Sequence, residues 1–245
     1  MLFAGDQGRL GTSPLSCPGD GQTHLQPAPA PADHSTVRLW IVLALVACSA
    51  AAGVRHAMGH RHTVLIPLLL VPALFMGWQE WGFRADQAEF SAVASEIAGR
   101  DVRVECQRFT GALLDPTAEA GYVQFNADGS PTDTGRLERD ACRDLRKYFH
   151  DDKTSPTLQH VIAVQVLAHE SYHLAGIRDE SKTECAAIQR IDEVAVQLGA
   201  SPDQGRAMAE RYYAEIYPRM PTAYRNSECK ERGELDASPD DDEWP

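Results

Sequence analysis

The chain has 245 residues, 43% of them hydrophobic, enough for one ordinary domain and something extra. Its formal net charge of −12 excludes nucleic acid as a partner, because phosphate backbones are held by clustered Lys and Arg. Part of the acid lies in the closing stretch SPDDDEWP, and residues 231–245 read as a solvated acidic tail.

Residues 1–36, with the Pro- and Ala-rich stretch QPAPAPADHS, bury too little apolar surface to offset ordering and read as disordered. Two apolar runs follow, VRLWIVLALVACSAAAGV from Val37 to Val54 and TVLIPLLLVPALFMGW from Thr63 to Trp78. A spanning helix needs about 20 mostly apolar residues, so both runs are short membrane helices, the second extendable toward Trp81 and Phe83. Pro67 and Pro72 are tolerated in membrane helices, and the Trp residues suit the interfacial belt. Residues 37–83 are therefore expected to lie in the lipid bilayer. The connector RHAMGHRH carries Arg55 and Arg61, which places it in the cytoplasm and everything after Trp78 outside. A start at Met58, with a single signal anchor, leaves the following domain on the same side. The connector histidines read as an interfacial loop, and Cys48 as a small packed hydrophobe.

The segment 85–230 holds four cysteines, Cys106, Cys142, Cys185 and Cys229, with no CxxC pair. In an oxidising compartment they make two bridges with three possible connectivities. Reach favours Cys106–Cys142, joining the first strand to a helix, and Cys185–Cys229, tying down the polar stretch YRNSECKERGELD.

Helical residues 85–98 lead into alternating strands at VRVEC (102–106) and GYVQF (121–125), then a turn at NADGSP. TGRLERDACRDLRKYF reads as an amphipathic helix burying Leu137, Cys142, Leu145 and Phe149. The next helix has Ser155 as N-cap, Pro156 at its first position and Gly176 as its stop. Leu158, Ile162, Val166, His169 and His173 form one stripe on it. ESKTECAAIQRIDEVAVQLGA and SPDQGRAMAERYYAEIY read as two further helices. The expected class is α+β, mostly helical, with a small sheet.

Within HESYHLAGIRDESKTEC (169–185), His169 and His173 stand one turn apart with Glu170 between them. On one helix face two such imidazoles can share a zinc ion while the glutamate flanks the open position. Two core histidines with satisfied hydrogen bonds are the structural alternative. The stretch resembles the active-site helix of the zincin metallopeptidases, and most of all small membrane-anchored zincin-like proteins of high-GC Gram-positive bacteria. The resemblance implies His169 and His173 as zinc ligands, Glu170 as general base, and a third ligand downstream. In metzincin-like spacing, with Gly176, that ligand is Asp179; in gluzincin-like arrangements it is Glu184. Asp179 also suits a helix N-cap, and Ser181 with Glu184 a capping box. Glu184 shares an apolar stripe with Ile188, Ile191, Ala195 and Leu198, and a buried carboxylate needs a partner, which favours Glu184. Tyr122, Tyr212, Tyr213, Tyr217 and Tyr224 are all conceivable oxyanion donors, with none singled out.

The function expected is that of a membrane-anchored, outward-facing zinc peptidase acting on a peptide or protein. The alternative is a non-catalytic, metal-stabilised domain binding an envelope partner. Nothing in the sequence specifies an oligomer.

Overall fold

The computed structural model describes residues 34–59, 65–107, 120–240 and 244–245. Residues 1–33 and part of the connector, including His60, Arg61 and His62, lie outside the described residues. The first helix, α1 (His34–Ala57), begins inside the segment expected to be disordered. Its stretch Trp40–Ala57, with a mean hydropathy of 1.6, is the one helix among the described residues long and apolar enough to cross a membrane.

The second apolar run and the helix expected at 85–98 are one element, α2 (Leu65–Ala98), 34 residues long with Pro72 inside it. The junction holds Gly77, Gln79, Glu80 and Gly82 but no proline after Pro72, so every later backbone N–H can bond and the helix propagates through. At 1.5 Å per residue it is about 51 Å long. Its first half leaves Leu68, Val71, Leu74, Phe75, Trp78 and Trp81 exposed, whereas Phe90, Val93 and Ala94 in its second half are core residues. Cys48 on α1 is exposed and unbridged, not packed. Buried Asp86 fixes α2 to the following domain by accepting from Arg146 (2.6 Å) and pairing with His150 (2.9 Å).

The sheet has three strands, β1 (Arg103–Cys106), β2 (Gly121–Phe125) and β3 (Pro131–Leu137), in the order β1-β3-β2. β3 runs parallel to β1 and antiparallel to β2, leaving β2 with an unpaired outer edge among the described elements. The expected helix from Thr134 is thus corrected: TGRL completes β3, and α3 (Arg139–His150) begins only after Glu138. Pairing on both sides outweighs local propensity there. Gly135 is also needed where it stands, because a Cβ would lie 3.1 Å from Leu174 Cδ1. On α3 the buried positions are Cys142, Asp144, Leu145 and Tyr148, with Phe149 half-buried, edge-on to Phe90.

The long central helix α4 (Leu158–Leu174) is capped by Thr157, whose hydroxyl accepts from the His160 amide, rather than by Ser155. It packs on α2, α3, the sheet and the helices that follow, so it is buried nearly all round. Leu158, Ile162 and Val166, expected as its buried stripe, are its half-exposed residues. A helix buried over most of its circumference has no single apolar face to read from periodicity.

Two elements, α5 (Glu180–Ile188) and α6 (Ile191–Gln197), replace the single helix expected after the motif. The break at Gln189 is held by its side chain, which donates to the carbonyls of Cys185 (3.0 Å) and Leu235 (2.9 Å). The stripe Glu184, Ile188, Ile191, Ala195 and Leu198 is nonetheless buried throughout. α7 (Pro202–Glu215) starts at a capping box formed by Ser201 and Gln204. Cys106–Cys142 joins β1 to α3 and Cys185–Cys229 joins α5 to the C-terminal segment, with Cα separations of 5.7 and 5.5 Å.

Candidate metal centre

The last turns of α4 and the first turn of α5 meet across a tight reversal. Gly176 takes φ 104°, a conformation costly for any side chain, and Ile177 N–H closes the turn onto the Tyr172 carbonyl at 3.1 Å. The reversed chain then brings the Ile177 carbonyl to His173, whose Nδ1–H donates to it at 2.7 Å. Asp179 caps α5 by accepting from the Lys182 amide at 2.9 Å and from the Ser181 hydroxyl. Those donors hold its carboxyl below the ordinary carboxylate range. Asp179 is a cap, as helix chemistry anticipates, and takes no part in the histidine cluster.

Glu180, the first residue of α5, points back at both rings. Its Oε2 lies 3.1 Å from His169 Nε2 and 3.3 Å from His173 Nε2. Behind His169, Glu184 Oε2 accepts from Nδ1–H at 2.8 Å, and the Tyr212 hydroxyl donates to Glu184 Oε1 at 2.5 Å. This corrects the sequence expectation for the third ligand. Glu184 is buried and partnered, as its stripe requires, but its partners are His169 and Tyr212. Glu180, not Glu184, groups with His169 and His173 as a set that could hold a metal ion. The signal for Glu180 lay in the turn chemistry: once Asp179 is the cap, its successor starts α5 facing the end of α4.

The outer hydrogen bonds fix the tautomers. The Ile177 carbonyl can only accept, so His173 carries its proton on Nδ1, and the Glu184 carboxylate does the same for His169. Both Nε2 atoms then converge on the Glu180 carboxylate, and without a metal the Nε2 of His169 carries a proton that it donates to Glu180. Donor atoms of His169, His173 and Glu180 all lie within 4.8 Å of one another. Two ligands bound about 2.0–2.1 Å from zinc on a tetrahedron stand about 3.3 Å apart, close to the Nε2–Oε2 separations here. Two imidazoles and one carboxylate, with carboxylate and carbonyl support behind, therefore fit a zinc ion.

Without a metal the positive charge of the cluster sits on His169 itself, and a bound metal ion would displace the Nε2 proton. Burial pulls His169 down, yet the carboxylates of Glu180 and Glu184 outweigh it and push its pKa up to about 9. Burial and the neighbouring His169 hold His173 below its ordinary value, and hydrogen bonding to His169 lowers Glu180.

A cleft of about 270 Å³ opens over the cluster, walled by β2 on one side and by Arg178 and Tyr224 on others. Glu170 is buried in it against the first residue of β2, Gly121. A Cβ on Gly121 would sit 2.7 Å from Glu170 Oε1, so only glycine leaves room for the carboxylate. Of the five tyrosines, Tyr122 and Tyr224 face the cleft. The Tyr122 hydroxyl accepts from Arg136 at 3.1 Å, and the Tyr224 ring lies 5.8 Å from that of His169. Tyr212 is committed to Glu184, while Tyr213 and Tyr217 stack on each other and donate to the carbonyls of Cys229 and Asn226.

No family model, curated protein or solved structure matches this chain.

Proposed function

We propose that the protein is a membrane-anchored, zincin-like peptidase whose metal is held by His169, His173 and Glu180. The observation that carries this reading is the convergence of the two Nε2 atoms and one carboxylate oxygen within 4.8 Å of one another, beside a buried glutamate in an open cleft. Zinc in such a site polarises a carbonyl and lowers the pKa of a water molecule in its open position. Glu170, lodged against Gly121, takes the proton from the attacking water and returns it to the leaving amine. Glu184 and the Ile177 carbonyl hold the two imidazoles in the tautomer that keeps Nε2 free. Tyr224, beside His169 and with its ring in the cleft, is assigned the hydrogen bond to the developing oxyanion. Bilayer anchoring is supported by the apolar Trp40–Ala57 helix, and an outward-facing domain by the two disulfides.

The test uses the full chain in detergent micelles. Wild type should contain stoichiometric zinc and cleave members of a mixed peptide pool. Glu170→Gln keeps the shape but removes the base, so zinc should remain while cleavage falls by about 10²-fold or more. Undiminished cleavage in that variant would overturn the mechanism. A wild-type protein that binds zinc and cleaves nothing would instead support a non-catalytic binding domain.

A further inference from the structure

A second, larger cleft of about 850 Å³ lies where α2 passes from its exposed apolar half into the core. One wall is Trp78, Gln79, Gly82 and Phe83 of α2; the other is α3, with Arg139, Arg143, Arg146 and Lys147. In a chain with net charge −12, these four cations share the cleft wall with a single acid, Asp151. Arg146 is fixed by Asp86 and lies 4.8 Å over the Phe83 ring. Arg143 and Lys147 pair with Asp140 and Asp144, but their side chains stay 47% and 57% exposed. Arg143 grips buried Asp144 with two parallel hydrogen bonds (3.0 and 2.9 Å), which orients its guanidinium while leaving its remaining N–H groups open to the cleft. The exposed Asp140 and Lys147 pairs are the weaker ones.

Position along α2 identifies the anion. Trp78 and Trp81, 68% and 71% exposed, are the last large apolar side chains on α2 open to their surroundings. Tryptophans at the end of an apolar span mark the headgroup level of a bilayer. The cleft therefore opens at that level, with the apolar flank of Leu74, Phe75 and Trp78 leading into it from below and cations waiting above. A ligand fitting both parts has acyl chains and an anionic head. We infer that this cleft binds an anionic phospholipid, its phosphate held by Arg143 and Lys147 and its chains lying along α2.

The inference rests on the bilayer anchoring proposed through α1, against which α2 packs, not on the metal centre. Two measurements separate the claims. Alkaline carbonate extraction of membranes containing the full chain tests anchoring; release into the wash would overturn both anchoring and the lipid site. For a retained chain, purified protein in non-ionic detergent is titrated with phosphatidylglycerol, phosphatidylcholine or inorganic phosphate, with bound lipid read by native mass spectrometry and thermal midpoint followed alongside. Phosphatidylglycerol alone should be retained and raise the midpoint. Each Lys or Arg near an anionic surface adds about fivefold in binding, so Arg143→Gln/Lys147→Gln should lose about 25-fold. Arg143→Lys/Lys147→Arg should keep the preference, which separates lost charge from lost folding. Equal retention of phosphatidylcholine, or an unchanged preference in the Gln double variant, would overturn the site. So would inorganic phosphate reproducing the full stabilisation, since the acyl chains would then contribute nothing.

Discussion

Glu180 and Glu184 sit four residues apart on one short helix and touch opposite nitrogens of the same imidazole. Their substitutions should therefore separate cleanly. Glu180→Ala removes a ligand and should abolish zinc retention through dialysis. Glu184→Ala removes support for a ligand, which typically costs about 10–100-fold in metal affinity. It also strands the buried Tyr212 hydroxyl, at about 1–3 kcal/mol of stability. Asp179→Ala should leave zinc affinity nearly unchanged and cost about 1 kcal/mol of stability through the lost cap. Zinc titration and thermal unfolding of the three variants give the ranking; a steeper affinity loss in Glu184→Ala than in Glu180→Ala would restore the sequence-based assignment. Gly121→Ala is a complementary probe. Its methyl would collide with the Glu170 carboxylate, so cleavage should fall more than about tenfold with zinc content intact. Normal cleavage in that variant would mean Glu170 works from another position.

Among the elements, α5 has the most attached to it: Glu180, Glu184 and one end of the Cys185–Cys229 bridge. Replacing both cysteines by serine should lower stability by about 2–4 kcal/mol, measured by denaturant unfolding. It should also weaken zinc binding, because the helix presenting both carboxylates loses a fixed point. Stability unchanged in that variant would show the bridge to be dispensable for α5. Element by element, the sequence was readable where chemistry is local. The capping residue Asp179, the Gly176 stop and the alternation in β1 and β2 are all visible as patterns of a few residues. What stayed hidden depends on contacts distant in sequence. β3 contains Gly135, a poor strand former, in a polar run between Thr134 and Arg136, and is a strand because β1 and β2 flank it. The stripe on α4 misled because that helix is buried over most of its circumference, and Glu184 was rightly placed inside while its partners on α4 and α7 could not be named without the fold.

At the scale of the whole molecule, the histidines and Glu170 were legible as a motif, whereas the cleft, Gly121 and the assignment of tyrosines required the fold. Topology is the outstanding molecular prediction. Protease added to intact cells should digest the domain beyond residue 84 and leave the Arg55–His62 connector uncut, read by mapping the surviving peptides. A protected domain would reverse the orientation. One further consequence follows from α2 being a single helix of about 51 Å that begins among the exposed apolar residues and ends in the core. An anchored enzyme on a floppy tether sweeps a hemisphere and reaches any nearby chain. Here α2 is itself a core element, so the stretch from Trp81, its last exposed tryptophan, to Ala98 is about 26 Å of stiff helix built into the domain. Under the proposed function the cleft is then a blade on a fixed post: it would meet only segments that arrive at its own height, and the distance of a peptide bond from the membrane would become a criterion of selection beside its sequence.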